Sequence, residues 1–350
     1  MIKKFLGKAA FGFYYLLIKL LPNKFYKYII IFFQKMIHYT TKVSLDDNLI
    51  VNYKVNDVSF KIYVRKKNSQ AHYTYTQLLS DGRVYELAIT VCLNSILKYQ
   101  KKPIFADVGA FVGHYACYVS KFLKNDTPVF AIESNHEFCE DIKKTTSLSN
   151  ITNVQVINGI LSDKNEDLFV YDVGVLNPEK IKNKKIDDKE YLEKVIKFGK
   201  KVNAVTLDSI FKDKKNIPNI LKMDVHGAEG KILAGSSDLL FNNVDYLLME
   251  LHTKDDLKKF SPGFTKTMIV KNLIDHNFNC YMIAPHSDGF RNLYSVNDNV
   301  QQQYLDNINK LKYLKIDKDT AELILYDRNF SDIFILAIKK NIDINSLSCF

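Results

Sequence analysis

Two apolar runs in this chain end in residues that move protons. Leu221-Lys222-Met223 leads into Asp224 and His226, and Tyr246-Leu247-Leu248-Met249 leads into Glu250 and His252. Histidine titrates near neutral pH and serves as a general base, and a carboxylate beside it orients a reacting hydroxyl. At the carboxyl ends of neighbouring strands these four would converge, which is where ligands sit on open α/β sheets. Each has a plainer reading. Asp224 can cap the turn before a helix opening near Glu229, Glu229 suits the first turn of that helix, and His252 can bond a backbone carbonyl. His, Asp and Glu together also raise the question of a metal. No pair has the i, i+4 spacing of ligands on one helix, so no metal is expected.

A second group of residues has the types needed to hold a nucleoside. Asp107-Val108-Gly109-Ala110-Phe111-Val112-Gly113 follows Ile104-Phe105 and precedes Tyr115-Ala116-Cys117-Tyr118-Val119. That order reads as strand, glycine turn and helix, with glycines that allow φ > 0 and close approach to a ligand. Downstream, Val129-Phe130-Ala131-Ile132 ends in Glu133, a carboxylate suited to a ribose diol. The spacing is not G-x-G-x-x-G, which argues against a nicotinamide dehydrogenase. His114 either reaches a ligand's carboxylate or faces outward at the helix start. Asp208 serves either as an N-cap or as a ligand contact.

These residues need a scaffold, and the hydrophobic periodicity supplies one. Residues 48–65 alternate as a β-hairpin, and residues 83–99 have helical spacing. Strands are expected near 104–108, 129–132, 154–157, 219–223, 246–251, 279–283 and 333–339. Helices are expected near 113–123, 136–148, 229–241 and 264–277. Such alternation predicts an α/β fold with a mainly parallel sheet covered on both faces. The lysine-rich stretch 172–201 interrupts the rhythm as an insertion, helical around Tyr191–Ile196. The chain therefore divides into a segment 1–44, a hairpin and helix over 45–100, and a main domain over 101–340.

Charge is local. The net +10 resides in residues 1–40, with seven lysines and no acid, and in 179–201, with nine lysines against five acids. The remaining body is near neutral, unlike a nucleic-acid groove lined with Lys and Arg. No Asn/Asp-Pro-Pro-aromatic motif for gripping a flipped base is present either. The apolar runs Phe11–Ile18 and Ile29–Phe33 fall short of the ~20 residues of a spanning helix, and no small-x-small cleavage site follows. Aromatics with lysines fit a segment lying on an anionic membrane, the alternative being amphipathic helices packed on the body. The expected location is cytoplasmic, at the inner face of the membrane. Five cysteines, at 92, 117, 139, 280 and 349, lack C-x-x-C pairing and read as reduced thiols.

Three further motifs carry a family resemblance. They are Val205-Thr206-Leu207-Asp208, then Leu221-Lys222-Met223-Asp224-Val225-His226-Gly227-Ala228-Glu229 continuing to Gly235, then Leu247-Leu248-Met249-Glu250-Leu251-His252. With the glycine loop, they resemble the FkbM family of S-adenosylmethionine-dependent methyltransferases over about residues 80–285. The resemblance implies a Rossmann-like class I methyltransferase with a mostly parallel seven-stranded sheet. It implies S-adenosyl-L-methionine as cofactor, held by Asp107, Gly109, Ala110, Gly113 and Glu133, with Asn158, Gly159 and Asp163 flanking the adenine. Asp224, Glu250 and His252 match the acceptor side, and together with His226 they are the expected catalytic residues. Phe111, Ser134 and His226 stand where the family has Asn, Pro and Glu. The implied activity is O-methylation of a sugar, glycan or related polar metabolite. The competing class is a catalytically inactive, membrane-attached binding module of the same fold.

Overall fold

The computed structural model describes residues 48–66 apart from 56, Tyr75, 85–171 apart from 125, 174–176, 200–283 apart from 214 and 237, 311, 313–326 and 332–349. The segment 1–44 and the helix expected around Tyr191–Ile196 lie outside the described residues.

The hairpin forms as its alternation dictates. β1 (Leu49–Val55) pairs antiparallel with β2 (Val58–Val64), and Val58, Phe60, Ile62 and Val64 are buried while Ser59 and Lys61 face out. It packs beside the central domain and shares no sheet with it. α1 (Leu87–Tyr99) follows, and then β3 (Phe105–Val108), α2 (His114–Phe122), β4 (Val129–Glu133), α3 (His136–Leu148) and β5 (Val154–Asn158) alternate as expected. The Tyr63 amide donates to Thr145 Oγ1 at 3.0 Å, and Arg65 pairs with Asp141 at 3.0 Å. These polar contacts to α3 satisfy an edge strand that would otherwise offer open backbone groups.

The chain next forms a small second sheet from β6 (Ile160–Leu161), β7 (Glu166–Tyr171), β8 (Gly174–Leu176) and β9 (Lys200–Val205). The stretch expected as an insertion is thus partly strand at its ends. α4 (Leu207–Phe211), β10 (Ile220–Met223), α5 (Glu229–Ala234), α6 (Asp238–Asn243), β11 (Tyr246–Leu251), α7 (Lys254–Phe260), α8 (Lys266–Asp275) and β12 (Phe278–Ile283) come next. β13 (Tyr313–Ile316), α9 (Ala321–Tyr326), β14 (Ile333–Lys339) and a 3-10 turn (Ile344–Ser346) follow among the described residues.

The central sheet has eight strands in the order β13-β12-β14-β11-β10-β3-β4-β5, one more than expected. The extra strand, β13, is four residues long, is interrupted by Lys315 and is exposed at its first three positions, so it is too short a run to stand out. β5, β4, β3, β10 and β11 are parallel, and β14 is inserted antiparallel between β11 and β12. Sheet growth reverses at β3, with β4 on one side and β10 on the other. That switch point opens a crevice beyond the carboxyl ends of the two strands.

Both faces of the sheet are covered. Phe105, Val129, Ala131, Ile220, Tyr246 and Leu248 pack under α1, α2 and the hairpin. Their neighbours Ala106, Phe130, Leu221, Leu247 and Met249 pack under α5 and α8 on the other side. Strands buried on both faces read as continuous apolar runs, which is why sequence located them so closely.

Candidate active site

The period of two that builds the core also gathers the polar residues. Phe105, Val129, Ile220, Tyr246 and Leu248 share one face, so Asp107, Glu133, Lys222 and Glu250 fall on that face too, nearer the carboxyl ends. Register brings Lys222 opposite Asp107. Asp224 and His252 continue the same series just past their strands.

At the β3 end, Gly109 has φ +80, and a Cβ there would lie 1.8 Å from the Asp224 carbonyl oxygen. This glycine therefore lets the loop meet the end of β10, a role beyond the ligand approach expected of it. Gly113 has φ +82, and a Cβ on it would meet Ile142 at 2.9 Å. The Gly109 and Ala110 amides both donate to the Ile132 carbonyl. Phe111 adopts φ 51, a left-handed conformation that a bulky ring takes less readily than the Asn which the family resemblance implies here. Its ring sits edge-on to Phe138.

Glu133 ties this loop to the next. Its Oε2 accepts from the Phe111 amide at 2.8 Å, and its Oε1 accepts from the Asn135 amide at 2.8 Å and the Ser134 hydroxyl at 3.2 Å. Burial raises its proton affinity, against those hydrogen bonds. Asn158 Nδ2 donates to the Glu133 carbonyl at 2.9 Å, and the Gly159 amide donates to the same oxygen. Asp163 accepts from Ser162 at 2.9 Å and lies 3.8 Å from Lys231 of α5. Asp107 is buried, and its Oδ2 accepts from the Ala116 amide at 3.2 Å. No hydrogen bond reaches its Oδ1. Burial lifts Asp107 to about 7, opposed by Lys222.

The residues expected on the acceptor side do come together. His252 Nδ1 lies 2.7 Å from Glu229 Oε1, and its Nε2 lies 3.5 Å from Asp224 Oδ1. Glu229 is fully buried and also accepts from the Gly227 amide at 3.1 Å. It is thus a group that orients His252, beyond the first-turn acid that helix position suggested. Burial disfavours a charge on His252, but Glu229, Asp224 and Glu250 overcome this and raise it to about 9. Asp224 is itself held below the usual carboxylate range; burial opposes this, and Lys222, His226 and His252 prevail. His226 is exposed, adopts φ 50, and sets its ring edge-on to His252 at 4.7 Å. Glu250 is buried, and burial, Asp224 and Glu86 push its carboxyl well above the ordinary value.

Two participants were missed from sequence. Lys222 Nζ lies 3.4 Å from Asp224 Oδ2 and 3.9 Å from Asp107 Oδ1, and 5.1 Å above the Tyr115 ring. Burial opposes its charge, yet Asp224, Asp107, Glu86 and Glu250 hold it protonated. A lysine inside an apolar strand, two residues before Asp224, was the available signal. Glu86 comes from the turn before α1, with φ 39, and accepts from the Tyr115 hydroxyl at 2.9 Å. Carboxylate oxygens of Glu86, Asp224 and Glu250 lie within 4.8 Å of one another, as do ligand atoms of Asp224, His226 and His252. Helical spacing had argued against any such donor cluster, because its members come from two strand ends and, for Glu86, from the turn before α1.

His114 and Asp208 stand apart from this group. His114 is buried among Tyr53, Phe60, Tyr75, Tyr85 and Tyr115, so it does not face outward. The cap of α4 is Thr206, whose side chain accepts from the Ser209 amide, so Asp208 is not the N-cap.

S-adenosylmethionine fits these residues. Both Glu133 oxygens keep acceptor capacity after their amide bonds, and Asp107 Oδ1 is a buried acceptor without a donor.

The methyltransferase FkbM domain matches residues 107–278, from the start of the glycine loop to the start of β12. No curated protein sequence matches the chain. Among solved structures, it resembles methyltransferase FkbM from Methylobacillus flagellatus KT at 13% identity and a TM-score of 0.30, over 53% of this chain and 44% of that one. It resembles precorrin-6y C5,15-methyltransferase from Geobacter metallireducens GS-15 at 12% identity and a TM-score of 0.34, over 71% and 87% of the two chains. Aeropyrum pernix fibrillarin, crystallised with natively bound S-adenosyl-L-methionine, overlaps at 10% identity and a TM-score of 0.36, over 71% and 74%. These structural overlaps are shallow, and the weight rests on the domain match and the ordered motifs. Residues 107–278 therefore carry a methyltransferase FkbM domain, that of the S-adenosylmethionine-dependent methyltransferase family which the ordered motifs resemble.

Proposed function

We propose that this enzyme methylates a hydroxyl of a sugar, glycan or related polar metabolite, with Asp224, His226, Glu250 and His252 on the acceptor side. The observation that carries the reading is the gap between His252 Nε2 and Asp224 Oδ1. At 3.5 Å it is long for a direct hydrogen bond, and no other donor reaches Oδ1. A donor and an acceptor so placed receive one hydroxyl between them. Asp224, which accepts from the hydroxyl, takes its proton as the oxygen attacks, with the Glu250 carboxyl beside it on the same face. Lys222 keeps Asp224 ionised and fixed by holding its other oxygen.

Asp107, Gly109, Ala110, Gly113, Glu133, Asn158, Gly159 and Asp163 form the cofactor side of this reading. When bound, S-adenosylmethionine supplies the methyl group, whose bond to sulfur breaks with its electron pair left on sulfur. Alignment of the two sides is the main task left to the protein. Residues 1–40 would bring this chemistry to the surface of an anionic membrane, as their lysines and aromatics suggest. Among the described residues no helix is long and apolar enough to cross a membrane.

The test is transfer of labelled methyl to fractionated cell-envelope glycans and soluble sugars, with Asp224→Asn and His252→Gln beside the wild type. Turnover should fall by about 10²-fold or more in each variant, the scale of acid–base assistance, while cofactor affinity changes little. Label recovered on nitrogen or carbon, or full turnover in both variants, would overturn the reading.

A further inference from the structure

We propose that Asp224, His226 and His252 form a binding site for one divalent transition-metal ion of the Zn²⁺ type, at the point where the acceptor hydroxyl docks. This rests on the reading of the acceptor side above and revises it: His252 Nε2, without its proton, and Asp224 Oδ1 hold the ion, and the acceptor hydroxyl meets them through it. The donor set is two imidazoles and one carboxylate, a combination that suits zinc and its first-row neighbours better than Mg²⁺ or Ca²⁺.

Geometry is the first support. Ligand atoms of the three residues lie within 4.8 Å of one another, and the His252 Nε2 to Asp224 Oδ1 distance is 3.5 Å. On a tetrahedral ion with bonds of about 2.1 Å, neighbouring ligand atoms are roughly 3.4 Å apart. The buried pair is therefore already spaced for a common ion. His226 is exposed, so a side-chain rotation closes the remaining distance. Asp224 Oδ1 is shielded from solvent and has no hydrogen bond, which leaves it free to coordinate.

The surroundings are those of a metal ligand. Glu229, fully buried, holds His252 through Nδ1 and leaves Nε2 turned toward Asp224. A carboxylate behind a histidine in this way fixes its tautomer and ring orientation at metal sites. His226 adopts a left-handed backbone that non-glycine residues seldom occupy, the kind of local strain that clusters at functional sites. Glu86 and Glu250 add carboxylates beside Asp224, and Lys222 is the cation placed against it, so a dication would offset excess negative charge. Three protein ligands leave a position open for the acceptor's oxygen.

The test uses the full chain, stripped with chelator and titrated with Zn²⁺ by calorimetry, with Mg²⁺ as a control. The proposal expects one equivalent of Zn²⁺ bound, at least a tenfold loss of affinity in His226→Ala and in His252→Ala, and no competition from Mg²⁺. His226 is exposed, so its variant tests the site even if His252→Ala fails to fold. Absence of stoichiometric Zn²⁺ binding, or unchanged binding in His226→Ala, would overturn the proposal. Full methyl transfer by chelator-treated protein would overturn the ion's role and leave the methyl-transfer reading standing. Zinc bound normally by a protein that methylates no hydroxyl would have the opposite effect, removing that reading and keeping the site.

Discussion

Glu229 Oε1 lies 2.7 Å from His252 Nδ1, and this contact leaves the other ring nitrogen, Nε2, turned toward Asp224. Glu229 belongs to the first turn of α5 and His252 follows β11, so the pair also ties two crossover units of the sheet together. Replacing Glu229 by Gln keeps the volume but weakens the hold on His252. Turnover should drop about tenfold or more and its pH profile should move, while cofactor affinity measured by calorimetry stays near wild type. A uniform fall in melting temperature with an unmoved pH profile would assign Glu229 to packing alone.

Glu133 holds two loop amides and is the proposed ligand of the cofactor's ribose, and its loss should register in both. Glu133→Ala removes the acceptors for the Phe111 and Asn135 amides as well as the expected contacts to the ribose diol. Cofactor affinity should weaken more than tenfold, and the fold should lose about 1–3 kcal/mol from unsatisfied amides. Calorimetry and thermal melting read the two separately. Unchanged cofactor affinity would contradict the assignment of this carboxylate to the cofactor.

His114 should make the protein sensitive to mild acid. Burial, followed by the charge of Lys222, lowers it from 6.5 to about 3, so the folded state keeps it neutral. The unfolded chain takes up a proton below about pH 6.5 while the folded chain does not until about pH 3. Stability contributed here is present above 6.5 and is lost as pH falls, by up to about 1.4 kcal/mol per pH unit. His114→Phe keeps an aromatic ring among the tyrosines and removes the titration. Denaturant melts between pH 6.5 and 5 should show a shallower decline for the variant, and equal slopes would count against the buried neutral histidine.

Residues 1–40 should carry membrane affinity. Each lysine near an anionic surface contributes about 1 kcal/mol, and seven lie in this segment. The full chain should sediment with phosphatidylserine vesicles at low salt and come off at high salt, and a chain beginning at residue 44 should not bind. Full-length protein that ignores such vesicles would leave packing on the body as the segment's role.

Much of this molecule is written in its local sequence. Strands such as Val129–Glu133 and Tyr246–Leu251 are apolar on both faces because both are covered, so each run stands out without knowledge of its neighbours. The Asp107–Gly113 loop, Glu133 and the three ordered motifs likewise carried the resemblance to the FkbM family that the domain match supports, and with it the proposed cofactor side. What sequence left open depends on contacts between distant segments. The eighth strand is only four residues long, with Lys315 within it, and pairs along the edge that β12 offers. Gly109 is required by the Asp224 carbonyl, 115 residues away in the chain. Glu86 and Glu229 read locally as an ordinary acid and a first-turn helix residue. Only the fold brings Glu86 beside Asp224 and Glu250, and Glu229 behind His252, because it sets strand ends and helix starts around one crevice. Local propensity and periodicity determined the elements, and the electrostatics of the site arose when the sheet order placed their ends together.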